Sequence, residues 1–496
     1  MDKLLYKSTR GLERDVSASY AIVKGLAKDG GLYVPSYIPQ MNKSMTELSE
    51  MNYQDLAYEV MSLYYQDFTE EELRACIHQA YDHKFDTDAI APTIKVGDVY
   101  MLELFHGSTI AFKDMALSIL PYLMKTAAKK IGIEKEIVIL TATSGDTGKA
   151  ALAGFADVED TKIIVFYPKD GVSPIQKKQM VTQKGDNTFV VGIEGNFDDA
   201  QNGVKRIFSD LDFNKALERG GFQFSSANSI NIGRLIPQIA YYFYTYATLI
   251  KQKEILDGET INVAVPTGNF GNILAAYYAK AMGLPLGKLI CASNDNKVLF
   301  DFIRTGKYDR QRPFILTMSP SMDILISSNL ERLIYEIAGA DSTATKDLME
   351  DLTSKGFYEV TDRMKAGLSE FYGNYANQLE TQQTIKKVFE KNHYLMDPHT
   401  AVGYAVYEKY VEDSGDTTKT VVVSTASPYK FTKSTMISLD QEYGQIDDFE
   451  LIDRMREKTG VEIPEAIHEI LEASIRHNTI CKHDEMASVI KKFLQI

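Results

Sequence analysis

The sequence predicts an α/β protein built on parallel sheets, and three observations carry that reading. Short apolar runs recur at 99–104, 137–140, 163–166, 189–191, 261–265, 289–292 and 420–423. Stretches with helical spacing lie between them, so buried strands alternate with helices as in parallel β-α units. Two of these strands run into glycine-rich turns that open helices, at 141–148 and at 266–272. In parallel sheets such turns gather beyond the carboxyl ends of the strands, where a ligand cleft is expected.

At 496 residues the chain is too long for one ordinary core, and two or three domains are expected. Residues 1–95 mix short strands with acidic helical segments at 46–61 and 70–81. They hold no obvious anion loop and read as an accessory N-terminal region. Residues 96–235 form a first α/β domain, which opens on the strand 99–104 and continues with helical spacing over 111–128. Residues 236–496 form a second. The uncharged stretch 235–250 is too short to span a membrane and contains Pro237, Gln238 and several tyrosines, so it reads as a buried amphipathic helix. Tyr241, Tyr242, Tyr244 and Tyr246 belong to core and packing surface on this reading.

Composition excludes several functions. Lys and Arg number 54 against 68 Asp and Glu, a net charge of −14, which argues against a broad nucleic-acid-binding face. Cys76, Cys291 and Cys481 are odd in number and form no C-x-x-C pair, as expected in a reducing cytoplasm. The start, Met1-Asp-Lys-Leu-Leu-Tyr-Lys, lacks the apolar centre of a signal peptide. There is no low-complexity tract or fixed-period repeat, and no obligate protein partner is implied. His468-Glu469 lacks the second histidine of a zinc-protease helix, and no G-x-S-x-G elbow is present. His106 reads as a packed or turn histidine and His399 as a helix-start or loop histidine, without assigned chemistry.

The chemistry concentrates in three loops. Phe105-His-Gly-Ser-Thr-Ile-Ala-Phe-Lys-Asp114 sets Lys113 among Ala111, Phe112 and Met115. Partial desolvation there lowers the amine pKa and frees the neutral form to condense with an aldehyde. Ser144, Gly145, Asp146, Thr147 and Gly148 form one glycine-rich turn, and Gly268, Asn269, Phe270, Gly271 and Asn272 form another. Each offers backbone N–H groups to an anion at a helix start, one to a cofactor phosphate and the other to a substrate carboxylate. Taken singly, the loops are also ordinary tight connections and Lys113 an ordinary solvated lysine. Together, in this order, they point to a pyridoxal-phosphate enzyme. A further segment, Ser226-Ala-Asn-Ser-Ile-Asn-Ile-Gly-Arg234, brings amide, hydroxyl and guanidinium groups together. It reads as a phosphate clamp or, equally, as a helix cap followed by a surface arginine.

The chain resembles the threonine synthases of the longer form, within the pyridoxal-phosphate enzymes of tryptophan-synthase-β-like fold. The resemblance runs from Thr9-Arg-Gly and Asp29-Gly-Gly-Leu-Tyr-Val-Pro35 to Ser424-Thr-Ala-Ser-Pro-Tyr-Lys-Phe431. It implies two parallel-sheet α/β domains with an extra N-terminal region, and conversion of O-phospho-L-homoserine and water to L-threonine and phosphate. It further implies that Lys113 joins the cofactor aldehyde and shuttles protons, that 268–272 holds the cofactor phosphate, and that Thr425 meets the pyridine nitrogen. Ser144, Gly145, Asp146 and Thr147 are implied at the substrate carboxylate and ring oxygen, and Asn228, Ser229 and Arg234 at the substrate phosphate. The family usually has Pro at Ser108, often Asp at Asn272 and often His at Ser427. Ser108 makes the turn before Lys113 less rigid.

Two other readings compete. A lyase or dehydratase of the same cofactor class, acting on serine, threonine or a phosphoamino compound, would use Lys113 and both glycine-rich loops equally. A nucleotide-binding protein using Gly145–Lys149 as a phosphate cradle is disfavoured, because Thr143 and Ala150 stand where that motif needs Gly and Ser or Thr. A catalytically silent binding protein would show no cofactor colour.

Overall fold

Two parallel sheets position the site in the structure, a computed structural model that describes residues 3–143, 145–170 and 172–496. The larger sheet has six strands in the order Phe371–Tyr375, Leu286–Ser293, Ile261–Pro266, Thr420–Ser424, Val99–Glu103 and Thr93–Val96. Only the edge pair Thr93–Val96 and Val99–Glu103 is antiparallel. The smaller sheet has five, in the order Thr479–Lys482, Thr188–Glu194, Thr161–Pro168, Glu136–Ala142 and Phe222–Ser225, all parallel. Ile261–Pro266 and Thr420–Ser424 are buried at every position, as befits strands covered on both faces. All seven apolar runs fall on strands, with Leu104 one residue past the end of Val99–Glu103.

The domain divisions at 95/96 and 235/236 do not follow the sheets. Thr93–Val96 and Val99–Glu103 join the larger sheet beside Thr420–Ser424, and Thr479–Lys482 returns to the smaller sheet beside Thr188–Glu194. Parallel pairing unites strands far apart in sequence, so a division into consecutive blocks cannot capture it. Two helical readings also need correction. The stretch 111–128 is divided into Asp114–Leu117 and Leu120–Lys130, where Pro121, lacking an N–H, sits in the first turn of the second helix. The stretch 46–61 is divided into Met45–Ser49 and Tyr53–Tyr64, because the Asn52 side chain accepts the Asp55 N–H at 2.8 Å and starts a new helix.

The N-terminal region is fastened to the rest by polar contacts. Thr9 Oγ1 donates to Glu331 Oε1 at 2.6 Å, and Arg10 Nη2 pairs with Glu331 Oε2 at 2.8 Å. His106 ties Asp86, at 2.6 Å, to Glu103 of the larger sheet, at 3.1 Å. The helix Pro237–Lys251 is buried, as expected, and packs against Met45–Ser49 and Tyr53–Tyr64. Among the described residues no helix is long and apolar enough to cross a membrane, and all three cysteines are buried and unpaired.

Candidate active site

Lys113 follows a turn that its own neighbours lock. Asp114 is buried and accepts the Thr109 amide at 2.8 Å and the Thr109 hydroxyl at 2.6 Å. Burial raises its pKa, against these bonds and nearby Lys430. Asp114 thus holds the turn at Thr109 from within the motif. Ile110, buried and β-branched, adopts a left-handed φ of 52°, a strain of about 1–3 kcal/mol that its packing must hold. The turn is stitched to the end of Thr420–Ser424: Phe112 N donates to Thr425 O at 2.8 Å, and Ser427 N to Ile110 O at 3.0 Å. Thr425 therefore lies beside the lysine, its own amide donating to Thr400 Oγ1 at 3.2 Å.

The Lys113 amine is largely buried, which corrects the solvated alternative. Burial lowers its pKa, Asp146 opposes this, and Lys430 and Arg234 reinforce it. Asp146 opens the helix Asp146–Phe155, with Oδ2 3.7 Å from Lys113 Nζ and Oδ1 3.3 Å from Lys430 Nζ. Gln176 Nε2 and Ser321 Oγ each donate to Asp146 at 2.8 Å. Burial works against its charge, but Lys430 and Lys113 outweigh it and hold Asp146 ionised, far below the usual carboxylate range. The turn before it is organised by Thr143, whose Oγ1 accepts the amides of Gly145 and Gly148, both at 3.0 Å. Thr147 stands half-buried in the first helical turn. Ser144 lies outside the described residues.

The second loop follows Ile261–Pro266 and starts the helix Gly271–Ala281. Its carbonyls are turned outward: Gly268 O accepts Ser327 Oγ at 2.7 Å, while Asn269 O accepts Asn329 N at 3.1 Å and Nδ2 at 3.0 Å. Phe270, at a left-handed φ of 65°, caps the helix, whose first amides have no intrahelical acceptor. Asn272 Oδ1 accepts the hydroxyls of Tyr241, at 2.8 Å, and Tyr242, while its buried Nδ2 has no partner. Those two tyrosines are core residues, as expected, but their hydroxyls also serve this loop.

Gly268 is close-packed: a Cβ there would lie 2.6 Å from the Ser321 carbonyl oxygen. Because a backbone atom cannot swing away, Gly268→Ala is expected to displace the loop and weaken cofactor affinity about 10- to 100-fold, at a stability cost of about 1–3 kcal/mol. Titrating cofactor into the apoprotein and following the absorbance checks this. A dissociation constant within about twofold of the parent's, or about 0.4 kcal/mol, would contradict it.

Arg234 is buried, so the surface-arginine reading is corrected, although Asn231 does cap the short helix Ile232–Leu235. Burial alone lowers the Arg234 pKa, to about 10, and no carboxylate among the described residues offsets it. Its Nη1 donates to Ala227 O at 3.0 Å, whereas Nε is buried without a partner. Ser229 Oγ is likewise buried and unpartnered. Asn228 is exposed and accepts the Ser229 amide at 2.9 Å.

Pyridoxal phosphate fits this set. The lysine amine and the 268–272 loop meet across one residue, since Ser321 Oγ is 3.4 Å from Lys113 Nζ and Ser321 O abuts Gly268. The buried unpartnered Asn272 Nδ2 and the free amides at the helix start suit a phosphate, and Lys113 suits an aldehyde. Sequence reasoning missed Thr143, Gln176, Ser321, Lys430 and Arg332, and left His399 without a role. Thr143 is legible only as part of the 141–148 turn and Lys430 only as part of the 424–431 motif; the others carry no local signal.

A family model described as "Threonine synthase N terminus" matches residues 5–81, "Pyridoxal-phosphate dependent enzyme" matches 86–426, and "Threonine synthase, C-terminal" matches 400–488. Threonine synthase of Saccharomyces cerevisiae is 38% identical over 458 residues, covering 86% of this chain and 87% of the relative. The crystal structure of the yeast threonine synthase aligns with TM-score 0.89 at 33% identity, and the pyridoxal-phosphate-bound threonine synthase from Brucella melitensis with 0.87 at 34%. Both cover 99% of each chain. With its fold, its buried lysine and two helix-start loops, and the match of all three segments, the chain belongs to the threonine synthase family of pyridoxal-phosphate-dependent enzymes.

Proposed function

We propose that the chain converts O-phospho-L-homoserine and water to L-threonine and phosphate, by γ-elimination and β-addition of water, at a site centred on Lys113. The observation that carries the substrate reading is Arg234: a buried guanidinium without a carboxylate partner, near enough to Lys113 to depress its pKa. Such a group, with an unpartnered Nε and the orphaned Ser229 hydroxyl, calls for an anion. A phosphate ester supplies one. A serine or threonine dehydratase substrate has no second anion and would leave Arg234 unpaired, which disfavours that part of the rival reading; a lyase acting on a phosphoamino compound would engage Arg234 equally.

Bound pyridoxal phosphate supplies a conjugated ring that takes up the electron pair left when a proton leaves the substrate. The residues of this chain do the rest. Lys113, tethered beside the reacting carbons, removes and returns protons at its Nζ, and its depressed pKa keeps a neutral fraction available. The amides of 145–147 and the Thr147 hydroxyl receive the substrate carboxylate at a helix start. Asp146, ionised and paired with two lysines, balances their charge. Gly268, Asn269, Phe270, Gly271 and Asn272 hold the cofactor phosphate. Thr425 offers the pyridine nitrogen a neutral hydroxyl, which leaves that nitrogen largely unprotonated. Asn228, Ser229 and Arg234 hold the substrate phosphate. We assign Ser144 to the carboxylate loop from its motif alone. A cytoplasmic setting and a small-molecule substrate, with no nucleic-acid or obligate protein partner, complete the reading.

Arg234→Ala tests it. Loss of a charge-assisted phosphate contact of about 1.5–3 kcal/mol is expected to raise KM for O-phospho-L-homoserine about 10- to 100-fold. Released phosphate and formed threonine should stay equimolar in parent and variant. An unchanged KM would remove the support for this substrate.

A further inference from the structure

Ser321 lies in a stretch, 310–323, that no sequence pattern marks, yet three of its atoms reach the site. Its hydroxyl donates to Asp146 Oδ2 at 2.8 Å and stands 3.4 Å from Lys113 Nζ. Its amide donates to His399 Nε2 at 3.1 Å. Its carbonyl oxygen packs against Gly268. We propose that Ser321 is a catalytic residue that orients the free amine of Lys113, and that His399 and Asp397 are positioning residues that hold it in place. This rests on Lys113 being the reacting lysine.

A hydroxyl has one proton. Because that of Ser321 is directed to Asp146, its oxygen faces Lys113 with lone pairs only. It accepts an N–H from the amine, so the nitrogen lone pair points elsewhere. The direction from which the freed amine takes and returns protons is thereby fixed.

The positioning follows from the start of one helix. Asp397 caps Pro398–Ser414, accepting the amides of His399 at 2.8 Å and Thr400 at 3.2 Å. The same carboxylate meets His399 Nδ1 at 2.7 Å, so the ring proton sits there and Nε2 is left to accept from Ser321. Phe431 packs on the ring with centroids 4.6 Å apart. The turn of Ser321 closes without this help, through Met322 N to Ser319 O at 3.0 Å and Asp323 N to Pro320 O at 3.1 Å. The histidine therefore sets where the serine points and is not needed for the turn itself.

The charged groups facing Lys113 are Asp146, Lys430 and Arg234, and His399 faces Asp146. The Ser321 hydroxyl engages both the amine and the carboxylate. Without it, Asp146 is free to pair more closely with the amine, which favours the ammonium and moves the acid limb of turnover to higher pH.

The test compares cofactor-loaded Ser321→Ala, Ser321→Thr, His399→Phe and Lys113→Ala with the parent. Turnover, its pH profile, the pH titration of the cofactor's visible band without substrate, and the thermal midpoint are measured. Ser321→Ala is expected to lower kcat about 10- to 100-fold with little change in KM, and to shift both titrations upward. Ser321→Thr should restore most of each, and His399→Phe should reproduce the shifts. A Ser321→Ala variant with parental kcat and titrations overturns the proposal. So do alanine and threonine variants that are equally slow with equally lowered midpoints, which would mean a packing role only. His399→Phe with parental titrations overturns the positioning role. Lys113→Ala that retains turnover brings down the site reading along with this inference, whereas an inert Lys113→Ala beside a silent Ser321→Ala overturns this inference alone.

Discussion

Lys113→Ala is expected to abolish turnover and the covalent attachment of the cofactor together. The amine sits where two requirements meet: burial lowers its pKa, yet it stays 3.7 Å from the ionised Asp146, which opposes that shift and anchors it. No other amine replaces it. Lys430 lies in the same cluster, but its Nζ is committed to Thr109 O at 2.7 Å and to Asp146. Lys149 is buried with a pKa lowered by burial, then by Lys430, to about 8, but its Nζ donates to Gln183 Oε1 at 2.5 Å. Loss of the acid–base group should cost roughly ten-thousandfold in kcat, about 5 kcal/mol at the barrier. Borohydride reduction followed by mass measurement of the intact chain is the independent readout. The parent should gain the mass of one cofactor less one oxygen, because condensation with the amine loses water and reduction adds two hydrogens, and the variant should gain none. A variant that still gained it on another lysine would move the chemistry away from position 113.

The carboxyl ends of the strands were legible because their runs are apolar and buried on both faces, and because glycine-rich turns follow two of them. Partnership between strands was not. Nothing in the sequence around 93–103 says that it pairs with 420–424, and that pairing brings Thr425 beside Lys113. The same limit hid Ser321 and Arg332, whose contacts cross long sequence separations and whose local sequence is unremarked. His399 lies at a helix start, one of the two placements its sequence offers, but its role depends on a serine from another segment. The three departures from the family pattern have local explanations. Asp114 locks the turn at Ser108, the tyrosine hydroxyls of 241 and 242 occupy the oxygen of Asn272, and the Ser427 side chain caps its own turn by accepting the Tyr429 amide at 3.3 Å.

Arg332 carries the second large expected effect, and it explains why the N-terminal region is built onto the site. It is fully buried, and burial lowers its pKa to about 10 despite the opposing pull of Tyr278, Glu331 and Tyr6. Its guanidinium donates to Tyr33 O at 2.9 Å, to Ile230 O at 2.6 Å and to Asn329 Oδ1. Those acceptors belong to the N-terminal region, to the segment of Ser229 and Arg234, and to the residue that holds Asn269 from two sides. One planar group thus ties the 268–272 loop and the 226–234 segment to the N-terminal strand Tyr33–Pro35. Arg332→Met leaves three buried acceptors unpaired, at about 1–3 kcal/mol each, partly offset by no longer burying a charge, so a net loss of about 3 kcal/mol or more is expected. The urea midpoint should fall accordingly. Arg332→Lys keeps the charge but cannot span three acceptors, so it should fold while binding cofactor and substrate more weakly at once. If the lysine variant lost neither affinity, or only one, the two loops would be set independently of each other and Arg332 would be an ordinary core residue.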